Sequence, residues 1–326
     1  MKYLLIFLFT IPGFILKAQD PHFTQFYSAP LSVNPAYTGV FSGKIRLLSN
    51  SRIQYVSAAS SFNTVTFGID GKLGKNKTEG QNPFNAGILL MHDNSLNGIV
   101  QSNYATAAAS YHIPLDEDAF QTLGIGFSAV YGNKNINFSE LSFGNQFLNG
   151  EFNLSVPSGE NALNNMKPFI TGGAGLLYQN ANEDKGSFFD IGVSCYNFNK
   201  PKQTVIKDQY QFIPIRFSGQ ISYQKYLSDD ILLSARAIYQ NQAATEYYQG
   251  GLLFEKLLGA EKEQTIGAGA WYRSKDAVSP YLRLGIKQFL IGMTYDIPVN
   301  DLKSASKNYR SMEVSLQYIF DSKNNN

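Results

Sequence analysis

Charge is scarce in this 326-residue chain. Asp, Glu, Lys and Arg make up 16% of it, against about 25% in an average soluble domain. Much of its surface therefore has no need to face water. Cys195 is the single cysteine, which excludes an intrachain disulfide and the stapled scaffolds of small exported domains. No apolar run after the first residues reaches the ~18 residues that a transmembrane helix needs. His22, His92 and His112 are the only histidines, and they fall in three separate segments without metal-ligand spacing. No Ser–His–Asp or Cys–His pattern stands out. The expectation is a chain that is not an enzyme and needs no cofactor or metal.

The amino-terminal residues read as an export leader. Lys2 supplies the positive charge, Leu4 to Leu16 the apolar stretch, and Ala18 the residue before cleavage. Those thirteen apolar-stretch positions are too few to span a bilayer, which takes about 20 residues. Leu16 stands where a small residue is usual. No cysteine follows the site, so a lipid-anchored product is not expected. Losing Lys2 and Lys17 lowers the basic count from 27 to 25, against 25 acids. A neutral mature chain argues against nucleic acid as a partner.

The rest of the sequence is built of segments of about ten residues that alternate apolar and polar, the mark of a transmembrane barrel. Ile45, Leu47, Ile53 and Tyr55 share one face and Arg46, Asn50, Arg52 and Gln54 the other. Ile215, Phe217, Ile221 and Tyr223 alternate with Arg216, Ser218, Gln220 and Ser222. Phe289, Ile291, Met293, Tyr295 and Ile297 alternate with Gly292, Thr294 and Asp296, and Val314, Leu316, Tyr318 and Phe320 with Glu313, Ser315 and Gln317. The abundant Tyr and Phe suit strands and the aromatic girdles of a barrel.

About fourteen antiparallel strands are expected, near 44–55, 61–72, 84–93, 99–113, 120–135, 167–179, 187–198, 210–226, 230–241, 246–258, 263–273, 278–286, 288–297 and 310–320. The fourth has the weakest pattern, being rich in Ala105, Ala107, Ala108 and Ala109. With both termini in the periplasm, the long connections at 136–166, 199–209 and 298–309 fall outside the cell, where long barrel loops belong. The organisation is a signal peptide at 1–18, an irregular lead-in at 19–43, a transmembrane outer-membrane β-barrel at 44–320 and a polar tail at 321–326. The fold class is all-β.

Strand parity places Arg46, Arg52, Arg216, Arg236, Arg283 and Lys287 in the lumen, with Asp70, Glu255, Asp296 and Glu313 as the acids on the same side. Two readings are open. The lumen is a weakly basic site for an acidic segment, or its charges are internal salt bridges in a filled interior, since buried charges need partners. Gly124–Ile125–Gly126 and Gly172–Gly173–Ala174–Gly175 resemble phosphate loops only in composition. No helix follows either, so barrel bends and tight packing account for them better. Asp116–Glu117–Asp118 reads as a solvated turn, and Cys195 as a lipid-facing apolar residue.

The lead-in is more specific. It reads Gln19–Asp20–Pro21–His22–Phe23–Thr24–Gln25–Phe26, then Pro30, then Asn34–Pro35–Ala36–Tyr37–Thr38–Gly39, and Arg52–Ile53–Gln54–Tyr55 follows in the first strand. This resembles the opening of the PorP/SprF-like membrane proteins of the type IX secretion system of Bacteroidetes. Their start is QDPxFSQF-like, followed by NPAYxG and an Arg-x-Gln-aromatic strand. Gly87 to Asn94, Pro168 to Tyr178, Phe188 to Ser194 and Ile291 to Asp296 resemble further strands of that family. The family's Ser-His-Glu before the last strand is Ser311–Met312–Glu313 here, without its His, so no role of that His carries over.

The resemblance implies an outer-membrane barrel that works with the secretion and gliding-motility machinery. Its implied partners are the outer-membrane bilayer, periplasmic type IX components, and a secreted surface protein or its C-terminal domain. Asp20, Pro21, Phe23, Gln25, Phe26, Asn34, Pro35, Ala36, Tyr37, Gly39, Arg52 and Gln54 are the candidate family-motif and partner-binding residues. From the residues alone, the lead-in is either a docking element for periplasmic partners or a plug or rim that closes the barrel. A passive pore or small-molecule transporter is the alternative function.

Overall fold

Burial and polarity run in the opposite sense to a water-soluble protein. Phe67, Ile88, Phe254 and Leu282 are more than half exposed, whereas Asn50, Arg52, Asp70, Asp296 and Glu313 are buried. An apolar exterior around a polar interior is what a lipid solvent selects. The computed structural model describes residues 21–54, 61–73, 84–159, 166–182, 186–203, 211–243, 245–299 and 310–320. The expected leader, Gln19, Asp20, Tyr55 and the tail at 321–326 lie outside the described residues.

The strands are β1 (Ile45–Gln54), β2 (Phe62–Leu73), β3 (Phe84–Ser95), β4 (Val100–Pro114), β5 (Gln121–Ile136), β6 (Phe147–Leu148), β7 (Glu151–Phe152), β8 (Phe169–Asn182), β9 (Ser187–Tyr196), β10 (Arg216–Ser228), β11 (Ile231–Gln242), β12 (Thr245–Leu258), β13 (Gln264–Arg273), β14 (Ala277–Ile286), β15 (Phe289–Pro298) and β16 (Ser311–Phe320). All but β6 and β7 form one closed antiparallel barrel, in which β1 pairs with β16. Closure satisfies every strand edge, as the bilayer requires. The barrel has the fourteen strands expected, and β14 and β15 are separate, joined by a turn at 287–288. β6 and β7 make a small hairpin within the longest connection, at 137–168.

The long connections, at 137–168, 197–215 and 299–310, share one mouth of the barrel. The tight turns at 229–230 and 287–288 share the other. Aromatic residues mark both rims of the apolar belt. Tyr239 and Tyr248 stack at 5.0 Å on the long-connection side. Phe289, Tyr318 and Phe320 cluster on the tight-turn side, with ring centroids 4.4 and 4.6 Å apart.

The lead-in does not lie on a rim. It occupies the lumen as three short helical turns, Phe26–Ser28, Pro30–Val33 and Pro35–Tyr37. Pro30 and Pro35 each open a turn, where a missing N–H costs nothing and φ is already suitable. Asn34 caps the last turn, its side chain accepting from Ala36 N–H at 2.9 Å. Each residue from Phe23 to Phe26 is buried, and so are Asn34, Pro35 and Ala36.

Filling the lumen creates a core inside the barrel. Phe26 and Val33 pack on Ile238, Leu253, Trp271 and Tyr281, and Leu31 on Leu89 and Ala108. These inward apolar residues break the expected polar-inside rule because the lead-in brings apolar side chains to meet them. Ala108 also explains the weak fourth strand, since a small residue leaves room for Leu31.

Candidate functional site: the filled lumen

The site is the contact between the lead-in and the barrel wall, and most of the charges on the inward face of the barrel's middle and ends serve it. At the long-connection end, Glu313 of β16 accepts the backbone N–H of Thr24 at 2.7 Å and of Gln25 at 2.8 Å, and the Asn50 amide at 2.9 Å. Asp296 of β15 receives Arg52 at 2.9 Å, Arg273 at 2.6 Å and the Ser279 hydroxyl at 2.6 Å. Arg52 also donates to the His22 carbonyl, and Arg273 to the Thr24 hydroxyl at 2.7 Å. Gln25 is fully buried, and its Oε1 accepts from Ser315 at 2.5 Å.

In mid-barrel the wall reads the lead-in's carbonyls. Arg216 donates to Ser32 O at 2.7 Å, Tyr196 to Leu31 O at 2.6 Å and Ser194 to Val33 O at 2.6 Å. Asn34 reaches back, donating to Leu176 O at 3.0 Å and Val193 O at 3.2 Å. Arg236 lies 4.5 Å over the Tyr27 ring.

At the tight-turn end Arg46 and Asp70 form a bidentate pair at 2.9 and 2.8 Å, both nearly fully buried. Asp70 also accepts the Gly39 N–H at 2.8 Å, and Arg46 donates to Val40 O at 3.2 Å. Gly39 needs to be glycine because its φ is +76°. Tyr37 donates to Asp190. Burial, and after it the Asp190 carboxylate, hold the Tyr37 hydroxyl well above its ordinary pKa, so it remains a donor.

The two glycine clusters now have a reason. A Cβ at Gly126 would collide with the Pro35–Ala36 backbone, and one at Gly175 with the Asn34 side chain. They let the Asn34–Pro35–Ala36 turn lie against β5 and β8.

Of the motif residues, Phe23, Gln25, Phe26, Asn34, Pro35, Ala36, Tyr37, Gly39 and Arg52 all join this contact. Pro21 and Gln54 line a cavity of about 400 Å³ above it, at the long-connection mouth. Asp20 lies outside the described residues. Among the lumen charges, Arg46, Asp70, Arg216, Arg236, Asp296 and Glu313 touch the lead-in or the groups that hold it. Glu255 and Arg283 pair with each other at 3.2 Å.

Lys287 is a correction. It does not enter the lumen, because β14 ends at Ile286 and Lys287 sits in the following turn at φ +52°. The turn breaks the alternation on which its placement rested. Lys287 is exposed there and lies 3.7 Å from Glu263. Sequence parity also missed Arg273 and Asp190. Arg273 closes its strand, where an inward residue looks like a rim residue. Asp190 sits between apolar neighbours Phe189 and Ile191, and only its even position relative to Gly192 and Ser194 marked it as inward. Met312, in place of the family's His, is 52% exposed and faces the lipid side.

Among the described residues no group of His, Cys, Asp and Glu is placed to hold a metal ion. Cys195 stands in register with Phe217 on the outward face of β9.

No curated protein matches the sequence. Similar solved structures include the Ralstonia pickettii toluene transporter TbuX, 12% identical over 90% of this chain and 94% of that one, with a TM-score of 0.49. The Pseudomonas putida toluene transporter TodX is 9% identical over 89% and 91%, with a TM-score of 0.48. The KdgM porin is 9% identical over 84% and 99%, with a TM-score of 0.39. Likeness at this level carries no argument about what this chain binds or moves. Residues 15–318 match the family described as "Type IX secretion system membrane protein PorP/SprF". The match covers the lead-in together with the barrel that holds it, and the chain belongs to that family of type IX secretion system membrane proteins.

Proposed function

We propose that this chain is a non-catalytic outer-membrane component of the type IX secretion and gliding-motility machinery. It binds periplasmic components and helps to export or anchor surface proteins. The observation that carries this reading is the filled lumen. An interior occupied by its own chain, with an apolar core around Trp271 and buried ion pairs at both ends, offers no path for a polypeptide. The contribution to secretion then comes through the surfaces the barrel presents at its two mouths.

The mouth with the long connections faces the cell exterior, by the general rule for such barrels. It carries the β6–β7 hairpin, whose Phe147, Leu148 and Phe152 are each at least half exposed. Exposed apolar groups clustered on a loop are a usual feature of a protein contact, and a surface protein meets the barrel on this side. The periplasmic mouth carries the short turns, among them Asp116–Glu117–Asp118. The filled lumen weighs against the passive pore. We read the buried motif residues as holding the plug, and the turns and rims as the docking surfaces.

Affinity recovery from solubilised outer membrane tests this. Recovery of periplasmic type IX components is expected, and their yield should fall when the 115–120 turn is replaced by a Gly-Ser linker. Recovery of none, with loss of solute uptake on deletion of the chain, would favour the transporter.

A further inference from the structure

The plug sits off-centre in the upper lumen. Residues 22–25 are held by Arg52 of β1, Gln249 of β12, Arg273 of β13 and Glu313 of β16. The inner faces of β3, β4 and β5 stand across from them, and the cavity of about 400 Å³ lies between. His22 and Tyr247 line one side of it, and Asp93, Ser102 and Lys134 the other. Its volume is that of an ordinary small-molecule pocket.

One row of the ladder crosses the wall of this cavity. Arg52, Thr64, Asp93, Ser102 and Lys134 stand in register on β1 to β5, each one strand spacing of ~4.8 Å from the next. The order is cation, hydroxyl, carboxylate, hydroxyl, cation. Arg52 is taken up by Asp296 and the His22 carbonyl. Asp93 accepts one hydroxyl on each oxygen, Thr64 at 2.6 Å and Ser95 at 3.0 Å. A carboxylate has about four acceptor sites, so Asp93 has acceptor capacity left. The Lys134 ammonium and the Gln54 side-chain amide, which also faces the cavity, have no partner among the described residues. Polar groups that are half-buried without partners are costly, and here they converge on one space.

These groups narrow the ligand. A simple anion would face Asp93 and a simple cation Lys134, each a like charge on the same row. The closed barrel offers no strand edge for an extended peptide to pair with. The groups suit a neutral molecule that both donates and accepts around its rim. Tyr104 and Tyr247 add ring faces. Both rings are braced, Tyr247 edge-on to His22 at 4.4 Å and Tyr104 to Phe169 at 6.5 Å. An apolar ring face with a polar tip matches a ligand that is apolar on its face and polar at its edge.

We infer that this cavity binds a short, hydroxyl-rich glycan. Neighbouring hydroxyls of a sugar donate to Asp93, sugar oxygens accept from Lys134 and Gln54, and the C–H face of the ring lies on a tyrosine. A cyclic sugar has little internal freedom to lose on binding. Glycans reach a cell-surface mouth from two sources, the lipopolysaccharide around the barrel and a glycosylated exported protein, and both present this chemistry. The cavity does not depend on the role in secretion; only its facing the cell surface rests on that reading.

The full chain is purified in an amine-oxide detergent, because alkyl glycosides are themselves sugars. Saturation-transfer NMR is run with glucose, galactose, mannose and N-acetylglucosamine, and with their disaccharides. Glycan released from the cell's own lipopolysaccharide and glycan released from its secreted proteins follow as separate samples, and the one that binds names the source. Binding of at least one saccharide is expected. Asp93→Asn and Lys134→Gln should each weaken it about tenfold, the loss of a hydrogen bond to a charged group, with the barrel still heat-modifiable. Lys287→Gln, at the other mouth, should leave it unchanged. Recovery of periplasmic components should be the same in all three variants, which separates this site from the proposed docking at the turns. No saccharide bound by the intact chain, or undiminished binding in both cavity variants, overturns the site. Binding of free glycine, a zwitterion, with no saccharide bound overturns the ligand class.

Discussion

Gln25 and Glu313 are bound to each other twice. The Gln25 N–H donates to the Glu313 carboxylate at 2.8 Å, and the Gln25 side-chain amide donates to the Glu313 carbonyl at 3.3 Å. The contact joins the motif's glutamine to the last strand across a sequence separation of 288 residues. Glu313→Gln keeps the shape but replaces one acceptor oxygen with a donor facing an N–H. A buried donor left unmade costs about 1–3 kcal/mol. The Thr24 and Gln25 amides should then exchange roughly ten- to a hundredfold faster by mass spectrometry, with the barrel still heat-modifiable. Unchanged exchange would mean that the carboxylate does not hold the lead-in.

The native protein should show negligible conductance in a planar bilayer, and deletion of residues 21–40 should open a steady one. A large conductance from the intact chain would overturn the filled lumen.

Gly126→Val tests the close approach of the Asn34–Pro35–Ala36 turn. The added side chain points into the Pro35–Ala36 backbone, so the lead-in must leave its groove or the wall must bend. Overpacking of this kind costs about 1–3 kcal/mol. The expected readout is new conductance together with proteolysis in the lead-in, from a barrel that still inserts. An inserted barrel that stays closed and resists the protease would show that the turn tolerates the intrusion.

Asp70→Ala leaves the Arg46 guanidinium buried and unpaired, a loss of about 3–5 kcal/mol for a broken buried pair. Heat-modified migration should appear at a lower temperature than in the native protein. The double variant Arg46→Met/Asp70→Ala removes both charges and should recover much of the loss. A double variant no more stable than the single one would remove the pair as the cause.

Cys195 should react with a lipophilic thiol reagent in membranes and resist a charged one, since its strand position faces the bilayer. Labelling by the charged reagent would place that face in water.

How much of the molecule is legible in its sequence depends on which force governs each residue. Alternation marks the strands because a lipid solvent penalises every polar residue on the outer face, as with Met312, Val314 and Leu316 against Glu313 and Ser315. Alternation fails at Lys287, where a turn resets the parity. The lead-in can be recognised by its prolines but not located, because its apolar residues do not say what they pack on. Leu89, Ile238, Leu253 and Trp271 are the available signal, four large apolar side chains on the face that should be polar. Asp190 and Arg273 escape for want of a neighbour pattern, since their roles depend on Tyr37 and Thr24, more than a hundred residues away.

The seam between the first and last strands has a consequence of its own. Arg52 and Glu313 stand directly opposite each other where β1 meets β16, and both grip residues 22–25. The upper grip on the plug is therefore incomplete until the cylinder closes, and a closed cylinder without the plug would leave both charges without those lead-in partners. Closing the ring and filling it are coupled steps, so a half-assembled intermediate can be told from the finished protein by whether the plug is protected.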